Sequence, residues 1–406
     1  MKLTSILPLL AVLLATVTAE AQSPIRPGDH IAIVGNTFAD QLRIHGYLET
    51  LLIRHSDVSI RNLGWGGDML TARDRPTGFP SEESTLSDHK TDVIIACFGM
   101  GESFAGPGGI ENFKSDLKAF VESHRGKKYN GESEVRLILV SPIACEDHGK
   151  LTPALEKRNR DLKFYTLAMS EVASESKLPF VDLFEPSRYL MNESKQAKLT
   201  TNGIHLNAFG YWAISHVFFE QLTATTSQPW RLSLDVKALE SNATGVEISA
   251  LQREGPALSF TVTEESAPSL PPQCNAELPT QLASQRDRLS VSGLETGDYT
   301  LAIDGEQIVT ASADDWARGL PIDASPAHAE AEAYRALVND KNLQFTYSWK
   351  ALNQVHIVGE RRTSPSGRAL PAEVVEFEKL ADQRDEDLRK KTPPKVRVWR
   401  LAPSTK

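Results

Sequence analysis

Residues 30–46 read HIAIVGNTFADQLRIHG, and this stretch decides the fold. Its first six residues, His30–Gly35, are short, apolar and closed by a glycine, as a strand buried on both faces of a parallel sheet is. From Phe38 the period lengthens. Phe38, Leu42, Leu48 and Leu52 fall near one face, which predicts a helix over Phe38–Arg54 with Gly46 as its weak spot. The same alternation recurs further along. Strand patterns occupy Val58–Gly64, Asp92–Gly99, Val135–Ser141 and Phe180–Leu183. Between them Thr152 is placed as a cap and Pro153 as the opening of a helix that carries Leu162, Tyr165, Met169 and Val172. A last helix, Ala208–Leu222, carries Tyr211, Ile214, Val217 and Phe218. Strand and helix alternating at this spacing imply an α/β domain, a doubly wound parallel sheet covered on both faces, over residues 22–225.

The chain has 406 residues, 40% apolar and 24% charged, ordinary values for a globular protein of two or three domains. Its 44 basic residues stand against 53 acidic ones, net −9, which argues against a nucleic-acid partner gripped through its phosphates. Cys97, Cys145 and Cys274 form no C-x-x-C, so a zinc knuckle, a thioredoxin-type site and c-type haem attachment are all unsupported. Lys2, the apolar run Leu9–Val17 and Ala19-Glu20-Ala21 read as a Sec signal peptide, residues 1–21, cut after Ala21. That run is too short to cross ~30 Å of hydrocarbon, and no later segment has ~20 uninterrupted apolar residues, so no stable membrane insertion is expected. The mature chain is therefore placed outside the cytoplasm, secreted or periplasmic. There an odd cysteine count leaves at least one thiol free or shared between chains. Cys97 reads as core, and a bridge between Cys145 and Cys274 stays open.

Residues 226–320 change character. Strand patterns at Arg231–Val236, Leu258–Val262 and Tyr299–Ile303 are broken by Pro271-Pro272 and by the turn signal Asp304-Gly305, which predicts a small β-sandwich-like module. Residues 321–406 read as a helical C-terminal region. Ser325 caps and Pro326 opens one helix. A second is expected over Pro371–Lys391, acidic early and basic late, and ended by Thr392-Pro393-Pro394. Its basic end, Arg389-Lys390-Lys391, answers the helix dipole rather than a nucleic acid.

In an open α/β sheet, ligands sit beyond the carboxyl ends of the strands. Four segments stand there: Gly35-Asn36-Thr37-Phe38-Ala39-Asp40, Asn62-Leu63-Gly64-Trp65-Gly66-Gly67-Asp68, Phe98-Gly99-Met100-Gly101-Glu102-Ser103 and Thr201-Asn202-Gly203-Ile204-His205-Leu206-Asn207. In this order they resemble the four conserved blocks of SGNH hydrolases, the GDSL lipase/esterase family. The resemblance covers roughly the first half of the chain. It implies a flavodoxin-like three-layer fold and hydrolysis of ester bonds with no metal or organic cofactor. It also implies a nucleophile at Thr37, an oxyanion glycine at Gly67, a third-block oxyanion position at Gly101 and a general base at His205, with Asn202 in the place of its orienting partner. The Gly-Asp-Ser of the family is Gly35-Asn36-Thr37 here, the third-block asparagine is Gly101, and the acid three residues before the histidine is Asn202. The segments are also similar to a variant branch in secreted bacterial proteins, whose blocks read Gly-Asn-Thr, Phe-Gly-Phe-Asn-Glu-Ser and Asn-Gly-Ile-His-Leu. Against that branch only Gly101 departs.

The substitutions have physical consequences. A threonine hydroxyl can attack an ester, although its methyl group restricts χ1. An Asn202 carbonyl that accepts from Nδ1–H would leave the His205 Nε2 free toward Thr37, but an amide cannot neutralise the imidazolium that forms. Gly101 offers no side-chain donor, and loss of one oxyanion donor costs ~2.7–4 kcal/mol. The sequence thus predicts a slow esterase acting on a small-molecule or carbohydrate ester, or else a scaffold that binds a glycan or a cell-envelope partner. Asp40 and Glu102 are the neighbouring carboxylates that could compensate. Other local readings stand beside these. Thr37 with Asp40 fits a capping box, Gly66-Gly67 fits a tight turn, and Trp65 either lines a cleft or covers the sheet edge. His45, His55, His89 and His148 read as surface residues. The sequence carries no signal for oligomeric state.

Overall fold

A computed structural model describes residues 23–75, 79–226, 228–274, 277–353, 363–390 and 393–404. The leader read over residues 1–21 lies outside them. The first half runs β1 (His30–Gly35), α1 (Thr37–His45), α2 (Tyr47–Ser56), β2 (Ser59–Asn62), α3 (Glu82–Asp88), β3 (Val93–Cys97), α4 (Ile110–His124), β4 (Arg136–Val140), α5 (Leu155–Ser176), β5 (Phe180–Val181), α6 (Phe184–Glu193) and α7 (Ala208–Thr223). The five strands pair in parallel in the order β2-β1-β3-β4-β5. Ile31, Ile33, Val93 and Ile95 face one apolar core, and Ala32, Val34, Ile94 and Ala96 face the other. Burial on both faces is why these strands read as unbroken apolar runs. The order reverses between β1 and β3, so the chain leaves those two strands toward opposite faces and opens a crevice at their carboxyl ends.

Two helix boundaries differ from the sequence expectation. The helix expected over Phe38–Arg54 is broken into α1 and α2 at Gly46, whose φ is +67°. A Cβ there would lie 2.2 Å from Asn339 Oδ1, so a C-terminal helix packs where a side chain would project. Helix α5 begins at Leu155 rather than Pro153. The Thr152 hydroxyl accepts the His148 N–H at 2.8 Å and does not cap the helix.

The second half continues with β6 (Arg231–Asp235), β7 (Glu240–Thr244), β8 (Val246–Glu254), β9 (Ala257–Glu264), α8 (Thr280–Ala283), β10 (Arg288–Ser292), β11 (Asp298–Ile303), β12 (Glu306–Ser312), α9 (Ala313–Arg318) and β13 (Leu320–Pro321). It closes with α10 (Pro326–Trp349), α11 (Pro365–Arg389) and β14 (Val396–Pro403). Two sheets, β13-β10-β6-β7 and β12-β11-β14-β9-β8, enclose a core that includes Leu232, Phe260, Leu301, Trp316 and Trp399. Asp304 and Gly305 join β11 to β12 with φ of +50° and +87°, the left-handed pair that a two-residue hairpin requires.

The C-terminal region is therefore not all helical. Strand β14 pairs with both β9 and β11 at the centre of its sheet. Its inward face is Arg397, Trp399 and Leu401, while Val396 and Val398 face outward. That inverts the usual alternation and hid the strand. Arg397 is tolerated inside because Asp304 and Glu330 pair with it at 3.1 and 2.9 Å. Helix α11 starts at Pro365, six residues before the expected Pro371, because Ser364 caps it by accepting the Gly367 N–H.

Helices α10 and α11 are bound into the α/β domain by buried charge. Lys341 is fully buried. Its ammonium group donates to the Glu49 carboxylate and, at 2.6 Å, to the Ile60 carbonyl. Asn342 Nδ2 supplies the other Glu49 oxygen at 2.7 Å. Arg61, on β2, pairs with Asp382 of α11 at 2.6 Å. Removing one partner of a buried pair leaves an uncompensated charge, which costs about 3–5 kcal/mol. Lys341→Met is therefore expected to destabilise the whole protein by about that much in urea melts. Lys341→Met with Glu49→Leu should recover most of the loss. A melt in which the α/β domain keeps its midpoint in the single variant would show that the helices detach independently. Among the described residues no helix is long and apolar enough to cross a membrane. Cys97 and Cys145 are buried free thiols, so Cys145 forms no bridge to Cys274.

Candidate active site

Strand β1 ends at Gly35, with φ +133°, where a Cβ would fall 2.1 Å from the Cys97 carbonyl oxygen. This close approach of β1 to β3 sends the chain straight into α1. The cap of that helix is Asn36, whose Oδ1 accepts the Phe38 N–H at 3.0 Å. The capping box read from Thr37 and Asp40 is thus not formed, and the Thr37 hydroxyl is left without a capping duty. It is half-buried, and Oγ1 accepts the main-chain N–H of Gly67 at 3.3 Å. The structure therefore brings Thr37 and Gly67 together on one rim. Gly67, with φ +89°, also makes the turn that the sequence allowed as its alternative.

Gly101 stands on the next loop, with helical backbone angles of φ −66° and ψ −48°. A Cβ there would lie 2.8 Å from Met69 Cγ and 2.9 Å from its sulfur. The Met69 thioether thus fills the space into which a third-block asparagine would project.

Asn202 and His205 are exposed on the loop before α7. Asn202 Oδ1 accepts two main-chain N–H groups, from Ile204 at 3.2 Å and His205 at 3.0 Å. Those donors fix the orientation of the amide, so its Nδ2 is the atom 3.0 Å from His205 Nδ1. An amide nitrogen only donates. Nδ1 must therefore accept, and the neutral ring carries its proton on Nε2. The Asn202 carbonyl, expected from the sequence to accept from Nδ1–H, is occupied by its own loop. Among the described residues nothing is hydrogen-bonded to His205 Nε2, Thr37 included.

The rim is sewn together by buried acceptors. Asn62 Nδ2 donates to the Ala39 carbonyl at 2.7 Å, and Asn62 Oδ1 accepts the Gly64 N–H at 2.9 Å. Glu102 accepts the Leu70 and Gly99 N–H groups, each at 2.9 Å, and burial raises its pKa. Asp40 is also pushed up by burial, but Lys350 and Arg43 overcome this and hold its carboxyl below the ordinary range. Both candidate compensating carboxylates are thus committed elsewhere. The acid that serves the histidine loop is Glu146. It is buried and accepts the Leu199 N–H at 3.1 Å, the Thr200 N–H at 2.8 Å and the Thr200 hydroxyl at 2.6 Å. His148 Nε2 lies 2.8 Å from that hydroxyl and 3.3 Å from Glu146, so it is part of this clamp rather than a surface residue. Glu146 carries no sequence signal, being one acid in an irregular loop.

Trp65 is half-buried between two cations. The Arg75 guanidinium lies 4.4 Å and the Lys350 ammonium 4.6 Å from its ring, with Phe79 and Trp349 edge-on. Lys350 and Trp349 come from the end of α10, so the C-terminal helices reach the rim of the site. A parallel 2-1-3-4-5 sheet with these loops in register at its carboxyl edge meets an independent match, since residues 28–213 fit the GDSL-like lipase/acylhydrolase family.

Residues 28–213 are a GDSL-like lipase/acylhydrolase domain.

This is an ester-hydrolase family. No curated protein sequence matches the chain. Among solved structures, a gut microbial diltiazem-metabolizing enzyme superimposes with a TM-score of 0.64 at 18% identity, over 94% of this chain and 99% of that one. The overlay spans the β module and C-terminal helices as well as the GDSL-like domain, so the whole architecture is shared. An acetylxylan esterase from Geobacillus stearothermophilus is similar over 49% of this chain and 95% of its own, at 17% identity and a TM-score of 0.38.

Proposed function

We propose that the GDSL-like domain hydrolyses esters slowly, with Thr37 as nucleophile and His205 as base. The observation that carries this reading is the Gly67 N–H directed at Thr37 Oγ1. In the reaction His205 takes the Thr37 proton on Nε2 while Oγ1 attacks the ester carbonyl. The oxyanion is met by main-chain N–H donors near Thr37 and Gly67. The imidazolium returns its proton to the leaving alkoxide, and water, activated by the same ring, frees the acyl group. Only the tautomer protonated at Nδ1 can start this sequence, and Asn202 holds the other one, so the enzyme is slow. The substrate is a small-molecule or carbohydrate ester. The carbohydrate part of the proposal rests on an appended β module, together with the expectation from the sequence that residues 1–21 are an export leader.

Turnover of 4-nitrophenyl acetate by wild type and Thr37→Ala tests the nucleophile. The variant should be about tenfold slower. The drop is modest because the tautomer already suppresses the triad and oxyanion donors sustain a residual rate. Equal rates would remove Thr37. The second reading, a scaffold that binds a glycan or an envelope partner with catalysis lost, is favoured by His205 Nε2 having no hydrogen-bond partner among the described residues. Fluorophosphonate labelling at Thr37 would decide against it.

A further inference from the structure

Arg158, in the first turn of α5, stands between two of the site loops. Its Nη2 donates to the Met100 carbonyl at 3.0 Å, next to Gly101, and lies 3.3 Å from the Met100 sulfur. The following residue, Asn159, holds Cys145 by both its N–H and its carbonyl, at 2.7 and 2.9 Å. Cys145 in turn abuts Gly203 on the histidine loop, where a Cβ would sit 3.3 Å from its sulfur. Arg158 is thus placed where the loop after β3 meets the loop that carries His205.

Among the described residues this guanidinium has no carboxylate within ion-pair distance. Asp161, one turn on, makes no ion pair with it: its Oδ2 accepts from Lys157 at 2.7 Å, and its Oδ1 is buried without a hydrogen-bond partner among the described residues. Glu102 and Glu146 are taken by main-chain N–H groups. Near Thr37 and Trp65, Arg75 is paired with Asp68, and Arg43 and Lys350 with Asp40. Arg158 is half-buried, and its Nε is buried with no acceptor. Its plane is held in place by Phe104, whose ring centroid is 3.8 Å from Cζ. Phe104 is itself 68% exposed, an open aromatic surface that leads to the charge. A desolvated, pre-oriented and unpaired guanidinium beside an exposed ring is suited to a planar anion carried on an apolar body.

We propose that Arg158 is the anion-recognition residue of this crevice, and that the ester taken by the site carries a carboxylate, with Phe104 packing on the body of the substrate. This rests on the esterase reading above. The carboxylate sits on the acyl part or on the alcohol part. A charge-assisted pair of this kind favours a charged over a neutral ligand by about ten- to a hundredfold.

Two matched pairs separate the sources. Mono-4-nitrophenyl glutarate against 4-nitrophenyl pentanoate probes the acyl side. The acetate ester of 4-(hydroxymethyl)benzoate against that of its methyl ester probes the alcohol side. Wild type should prefer the charged member of one pair at least tenfold in kcat/KM. In Arg158→Gln that ratio should fall to about one, and in Arg158→Lys part of it should survive. No preference in either pair, or a preference that persists in Arg158→Gln, overturns the proposal. If no ester is turned over by any of the three proteins, the esterase reading has failed. The anion site is then judged by calorimetric titration of glutarate. Saturable binding to the full chain, weakened tenfold or more in Arg158→Gln, sustains it, and no binding overturns it.

Discussion

Asn202→Asp is expected to raise ester turnover by two to four orders of magnitude. The two main-chain donors on Asn202 Oδ1, from Ile204 and His205, serve a carboxylate oxygen equally well. The second carboxylate oxygen then takes the place of Nδ2, 3.0 Å from His205 Nδ1. A carboxylate only accepts, so the ring proton moves to Nδ1 and the Nε2 lone pair becomes available to Thr37. The same carboxylate stabilises the imidazolium formed on proton transfer. In serine triads the opposite exchange, acid to amide, costs ~10⁴ in turnover for this reason. The gain here reaches that figure only if Nε2 closes on Thr37 when substrate binds, since no hydrogen bond joins them in the free protein. Contacts of this kind commonly tighten only in the complex. Pre-steady-state acylation with 4-nitrophenyl acetate is the measurement. Asn202→Ala is the control, because it frees Nδ1 without supplying an acceptor and should gain far less. No gain in Asn202→Asp would mean that His205 is not the base.

Gly101→Asn, made together with Met69→Ala, should raise kcat by about 10²–10³, the value of one oxyanion donor. The backbone at Gly101 is already helical, so an asparagine is accommodated without strain. Among the described residues the new Cβ meets only the flexible Met69 side chain, at 2.8 Å, and its truncation removes that contact. Met69 follows Gly67 by two residues, so a side chain pointed at it is pointed toward the loop whose N–H meets Thr37. The effect should appear in kcat rather than KM, because the donor meets charge that exists only in the transition state. Met69→Ala alone should leave kcat within about twofold. Combined with Asn202→Asp, the gains need not multiply, since groups acting as one unit are not additive. An unchanged kcat in the double variant would place the oxyanion away from Gly101.

How much of this was legible in one dimension varies by residue. Strand β1 falls at the expected His30–Gly35, and α7 starts at the expected Ala208. The break at Gly46 was visible only as a weak spot, because a lone glycine does not announce that its backbone turns left-handed, and Asn339, which packs where a side chain would project, is almost three hundred residues away. Strand β14 was hidden because its inward arginine is made tolerable by Asp304 and Glu330, neither of them local. Glu146 and His148 belong to no motif, and their role depends on the loop that folds onto them.

The amino-acid order alone determined the layered α/β architecture and the site loops. Sheet burial demands apolar strands, and close backbone approaches such as that at Gly35 demand glycine. It could not determine the chemistry at His205. An asparagine has two chemically opposite ends, and which one meets the imidazole is decided by whatever else bonds to the amide. Likewise a lone arginine is ordinary in a sequence. Only the packed chain, with Glu102 and Glu146 held by main-chain donors and Asp161 paired with Lys157, leaves Arg158 without an ion-pair partner among the described residues.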